Sequence, residues 1–182
     1  MMETSETIIR HVPLTLNSML ETSGISPSEV VVFRHRPYEP ALNRIFDGIV
    51  SERPDLFDCY QGTHAARTEV ALTRAKYVAS FIRHRPRTAL FVGLYRVASS
   101  RKLKIDECLA RPLHRELMSL GMGGFKATDA RTEIVEFKLP LTEWHRDWRG
   151  KLIVRWPGLE RSWYRWADKN QFEVEAIAPE NI

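Results

Sequence analysis

Six consecutive residues near the C-terminal end, Arg161-Ser162-Trp163-Tyr164-Arg165-Trp166, set three aromatic rings beside two guanidinium groups. All five tryptophans (144, 148, 156, 163 and 166) fall within residues 144–166, among Arg146, Arg149, Lys151, Arg155, Arg161 and Arg165. Rings offer flat faces on which a base can stack, and guanidiniums grip phosphate oxygens through paired N–H donors, so this composition suits a nucleic-acid ligand. The same residues also suit an ordinary core rimmed by solvated arginines. In an extended segment Ser162, Tyr164 and Trp166 face one way and Trp163 and Arg165 the other, which lets one side pack while the other binds.

Other chemistries find little support. The six histidines (11, 35, 64, 84, 114, 145) show neither HxH nor HExxH spacing, and Cys59 and Cys108 form no CxxC pair, so no metal or other cofactor is expected. Spacing alone does not assemble a Cys–His dyad. The glycines of "GMGGF" (121–125) lack the strand-to-helix setting of a phosphate loop, and "HRDW" (145–148) matches a kinase catalytic loop in three letters only. The reading is therefore a protein that is not an enzyme.

The charge distribution agrees with a polyanionic partner. Of 27 basic and 23 acidic residues, residues 83–169 hold 19 basic and 10 acidic ones. Twenty of the basic residues are arginine, the better side chain for bidentate phosphate binding; a GC-rich genome also inflates arginine. At 182 residues and 43% hydrophobic content the chain is read as a single domain, residues 1–182, with enough apolar material for one core. No leader-like segment and no apolar run of membrane-spanning length occurs, so the expectation is a soluble, cytoplasmic protein without a membrane partner.

The elements that must position these residues follow from periodicity. Helices are predicted near 14–22, 40–50 and 66–76, and a short helical piece before Gly62; "VVVFRHR" and "YVASFIR" read as strands. Strands over 88–97, 131–139, 151–156 and 172–177 are expected to share one curling sheet. Within "RTALFVGLYRV", Gly93 marks a bend or a close approach to the backbone. The fold class is α+β, with helices early and a mostly antiparallel, partly closed β-barrel in the second half.

The segments "YQGTHAARTEVALTRAKYVASFI", "RTALFVGLYRV" and "RGKLIVRWPGLERSWYRWADKNQFEVEAI" resemble a domain found at the N-terminus of bacterial GIY-YIG nuclease-family proteins, distantly related to the PUA-like group that includes EVE, YTH, ASCH and SRA domains. The resemblance runs from "PLTLNSML" to "VEAI", with "LFVGLYRV", "YVASFI" and "RSW" as its most distinctive words. It implies a small PUA-like barrel flanked by helices that holds a flipped or single-stranded modified base in an aromatic pocket. The catalytic pattern of the nuclease half is absent, which leaves a stand-alone reader or one domain of a longer protein.

Flipping a base costs a few kcal/mol, which stacking and edge hydrogen bonds must offset. Tyr60, Gln61 and Thr63 supply a ring, an amide and a hydroxyl around Gly62; Phe91, Tyr95, Ser162, Trp163 and Tyr164 are candidate walls; Arg96, Arg149, Arg155, Arg161 and Arg165 are candidate phosphate contacts. Tyr60-Gln61 also reads as a helix end closed by glycine, and Phe91 as barrel core. The leading expectation is a reader of modified bases in a restriction or defence context, binding DNA rather than RNA, with a nuclease domain in cis or in trans. Two alternatives stand beside it: a metal-dependent nuclease or nucleotide hydrolase built on Asp147, Asp168 and Glu173, and a protein-interaction domain using the tryptophan-rich surface.

Overall fold

The structure is a computed structural model, and it describes residues 13–35, 48–64, 71–120, 133–158 and 164–177. Helix α1 (Leu16–Thr22) starts at Thr15, whose hydroxyl accepts from Ser18 N at 3.1 Å while Ser18 Oγ accepts from Thr15 N at 3.1 Å. This reciprocal cap satisfies two amides that a helix start otherwise leaves bare. Helices α2 (Pro54–Gly62) and α4 (Pro112–Ser119) each begin with a proline, whose fixed φ and missing N–H suit that position. The short α3 spans Ile105–Leu109.

Among the described residues there are nine strands: β1 (Val30–His35), β2 (Thr63–His64), β3 (Tyr77–Arg83), β4 (Thr88–Arg96), β5 (Ser99–Lys104), β6 (Glu133–Lys138), β7 (Leu152–Arg155), β8 (Tyr164–Trp166) and β9 (Val174–Ile177). Six of them form a mixed sheet in the order β8-β1-β3-β4-β7-β9, in which β1 and β3 are parallel, and three form a second sheet in the order β2-β6-β5. The α+β class holds. Among the described residues the strands form two open sheets and no closed barrel. The strand foreseen at 131–139 belongs to the smaller sheet, not to the one containing β4, β7 and β9. The two sheets join at a corner: Arg96 N donates to Pro140 O at 2.9 Å, Ala98 N to Lys138 O at 3.0 Å and Thr142 N to Leu94 O at 2.9 Å. The foreseen helix over 40–50 falls in the described residues only from 48, and that over 66–76 only from 71; both stretches are helical there, over 48–52 and 71–74.

Alternation sends Val31 and Phe33 to one face of the larger sheet and Val30 and Val32 to the other, and a core builds on each. On the first face Phe33, Phe57, Leu72, Val78 and Tyr95 pack with Val135 and Phe137 of the smaller sheet and with Leu139 just beyond β6. On the second, Leu16, Leu20, Phe81, Phe91, Trp156 and Phe172 pack together under α1. In β4 the register slips between Ser80↔Gly93 and Phe81↔Phe91, inserting Val92 as the extra residue of a bulge. That single residue decides which side chains of β4 share a face.

Candidate functional site

Beyond the bulge, Gly93 and Tyr95 share the first face. A Cβ on Gly93 would lie 2.6 Å from Leu141 Cδ1, 3.4 Å from Tyr95 Cε2 and 3.6 Å from Arg149 Nε. These side chains therefore converge where the two sheets join. Tyr95 is 3% exposed. Burial pushes its phenol well above the ordinary value, the Asp58 carboxylate adds to the rise, and contacts with Gln61 and Arg149 oppose it. Gln61, at the end of α2, is fully buried; its Nε2 donates to Asp58 Oδ1 at 3.3 Å and it also reaches the Tyr95 phenol.

Among the described residues Gln61 Oε1, Arg149 Nε and Ser80 Oγ, buried on this side, have no hydrogen-bond partner; Ser80 sits on β3 opposite Gly93. Arg149 is held in place by its Nη2, which donates to Thr142 O at 2.6 Å. An amide oxygen, a guanidinium N–H and a hydroxyl thus lie around one tyrosine, a mixed donor and acceptor set of the kind that reads the edge of a flat heterocycle. Rings surround it. His35 lies 5.2 Å from Phe57 and 5.4 Å from Tyr60, and His64 lies 5.3 Å from Phe33, centroid to centroid. Burial holds both imidazoles neutral at physiological pH, lowering His35 to about 3, with His64 contributing, and His64 to about 4.

Asp58 links this cluster to a groove of about 780 Å³ whose walls include α2, the start of α4 and strands β5 and β6. Partial burial pushes the Asp58 carboxyl up to about 6 against the bond from Gln61. Thr63 lines the groove and donates from its hydroxyl to Cys59 O at 2.9 Å. Gly62 belongs to packing: a Cβ there would stand 2.8 Å from Phe137 O, so the bare backbone lets α2 abut β6 rather than a ligand. At the other end Glu136 receives Arg101 Nε at 2.6 Å and Arg111 Nη1. Partial burial raises the Glu136 carboxyl, but the hydrogen bonds from Arg101 and Arg111 outweigh it and hold the pKa below its usual value.

A pair that spacing did not reveal also lies here: Cys59 Sγ is 3.4 Å from His114 Nε2. Burial pushes the thiol up to about 11, helped by the Glu136 charge, and lowers the imidazole. The proton therefore stays on sulfur, which is the wrong state for a resting nucleophile.

The foreseen site residues divide. Tyr60, Gln61 and Tyr95 come together with Arg149 on the first face, and Thr63 lies in the adjoining groove. Tyr164 packs on the edge of the same apolar cluster from β8. Phe91 does not join them: it is fully buried on the opposite face, 5.3 Å from Phe81 and 5.7 Å from Trp144. Arg161, Ser162 and Trp163 lie outside the described residues. Arg155 is engaged by Glu173 at 3.4 Å and Glu175 at 3.0 Å, and Arg165 by Asn170 Oδ1 at 3.0 Å. Arg96 stays exposed at the end of β4. Tryptophans 144, 148 and 156 pack on the second face, where Trp156 covers the buried Arg34 guanidinium at 4.6 Å.

The carboxylates suggested for a metal site have other roles: Asp168 pairs with Lys169 at 2.7 Å and Glu173 with Arg155, while Asp147 is exposed on the turn at 146–148. Among the described residues no three His, Cys, Asp or Glu side chains are placed to hold a metal ion, and no helix is long and apolar enough to cross a membrane. No family model, curated protein or solved structure matches the chain.

Proposed function

We propose that the chain is a nucleic-acid-binding module that seats one unstacked base at Gln61, Tyr95 and Arg149. The observation that carries this reading is Gln61, fully buried with Oε1 unpartnered among the described residues while Nε2 donates to Asp58 Oδ1. An unmet buried acceptor costs about 1–3 kcal/mol, a cost that an exocyclic amine or ring N–H of a base would remove. Arg149 Nε and Ser80 Oγ offer further donors to the same ligand. The resemblance to PUA-like readers supports an aromatic base pocket and a modified DNA base in a restriction or defence setting. A groove of about 780 Å³ falls in the range of small-molecule sites and has room for a substituent on the ring.

Phosphate contacts fall to Arg96, one of those first suggested, and to two arginines that were not. Arg85 and Arg87 are exposed with His84 at the β3–β4 turn, and Arg96 at the opposite end of β4. Fluorescence anisotropy with labelled single-stranded and duplex DNA, unmodified or carrying one methylated or hydroxymethylated base, tests the reading. Affinity should fall steeply with salt, and Gln61→Ala should lose about tenfold or more for the preferred base while folding normally. Parent-like binding by that variant, or no binding of DNA or RNA at low salt, sinks the proposal.

A further inference from the structure

The base position adjoins the groove through Asp58 and leaves the arginine-lined end of the groove unused. There Arg101 of β5 and Arg111, just before α4, hold one carboxylate between them, with Arg101 62% and Arg111 29% exposed. Each guanidinium has five N–H donors and commits a single nitrogen to Glu136; neither makes another hydrogen bond among the described residues. Glu136 cancels one of the two charges and fixes both forks, so their outer edges are presented to the groove already oriented. Lys138, two residues along the same face of β6, adds an exposed ammonium.

We infer that this end is a phosphate site, and that the groove takes a nucleotide with its phosphate on Arg101 and Arg111 and its base toward Gln61. The position of the base rests on the reading above; the phosphate site rests on the Arg101–Glu136–Arg111 cluster in the groove wall. The orientation follows from charge. Asp58 stands at the base end, where it repels a phosphate and accepts from an amine, and the arginine pair with Lys138 stands at the other. Glu136 and Pro140 are separated by four residues of extended chain, roughly 13 Å, room for a sugar between base and phosphate. The bare amides at the start of α4, which has no side-chain cap, reinforce the positive end.

Isothermal titration of the four nucleosides, their 5′-monophosphates and inorganic phosphate tests the assignment against the parent, Arg101→Gln and Arg111→Gln. Arg101 is exposed enough that its replacement should leave the circular dichroism spectrum unchanged. In the parent a monophosphate should bind about 10- to 100-fold tighter than its nucleoside, and either variant should shrink that ratio while nucleoside affinity stays put. Nucleosides that bind with no gain from the phosphate, or a gain that survives both substitutions, overturn the phosphate site and leave the base reading standing. Inorganic phosphate that binds and is lost in the variants, with no nucleoside binding, upholds the phosphate site and removes the base reading. Silence across the whole panel removes both.

Discussion

Acid should unfold this protein early, because two imidazoles are buried neutral in its apolar centre. His35 and His64 have pKa values lowered to about 3 and about 4, both chiefly by burial. A lowered histidine pKa means that the unfolded chain binds protons the native state refuses. The stability is therefore intact above the unfolded value near 6.5 and is lost as pH falls from there toward 4. Between pH 7 and 5 each histidine costs roughly 2 kcal/mol at about 1.4 kcal/mol per pH unit, or about 4 for the pair. Asp58 acts in the opposite direction, since its raised carboxyl takes up a proton in the native state near pH 6. Screened by solvent, that offset is about 1 kcal/mol at most, leaving a net loss of about 3 kcal/mol. A domain of this size has about 5–15 kcal/mol in total, so the loss is large. Urea unfolding followed by tryptophan fluorescence at half-unit pH steps measures it. His64→Gln, which keeps a polar group beside the Gln61 carbonyl, should flatten the profile by about 2 kcal/mol. A parent curve level between pH 7 and 5, or a drop unchanged in that variant, refutes the reasoning.

Asp58→Asn should stabilise the fold at pH 7 by about 1 kcal/mol, a screened fraction of the shift, and the gain should vanish below pH 4, where both forms are neutral; chemical denaturation at the two pH values reads it. Gly62→Ala should cost about 1–3 kcal/mol in thermal unfolding, because the new methyl meets the Phe137 carbonyl in the backbone of β6. Gly93→Ala should cost less, because the methyl clashes with the far end of the Leu141 side chain and not with backbone; equal losses in the two variants would contradict this ranking.

Much of the local structure was legible because it rests on nearest neighbours. Alternation in "YRW" put Tyr164 and Trp166 on one side and Arg165 on the other, and β8 does so: both rings pack on the first-face core while Arg165 turns to Asn170. The same rule failed for Phe91 and Tyr95. Four residues apart, they share a face in a regular strand, but the extra residue at Val92 reverses the alternation between them and splits the foreseen pocket wall. Gly93 marks a bend there, but not that the residue before it is the extra one. Sheet membership was hidden for a related reason: nothing within β6 names its neighbours, and only long-range pairing with β2 and β5 assigns it to the smaller sheet. Gln61 and Arg149 were in view as single residues, yet their meeting depends on α2 and the segment after Thr142 arriving at one corner from opposite ends of the chain. Cys59 and His114 are 55 positions apart, and only the contact of α2 with α4 brings them together.

The way α1 is fastened has a consequence for synthesis on the ribosome. Leu16 N donates to Phe172 O at 2.9 Å, Val174 N to Leu14 O at 2.8 Å, and Asn17 Nδ2 to Ala167 O at 2.8 Å. The first described helix is thus fastened in part by segments translated some 150 residues later. Until residues 167–174 have left the exit tunnel, Leu16 and Leu20 have no Phe172 to pack against, and that side of the sheet stays open to solvent. At about 5–20 residues per second the nascent chain spends several seconds in that state, in which chaperones have apolar surface to hold. Emergence of residues 167–174 is the event that closes that side of the sheet.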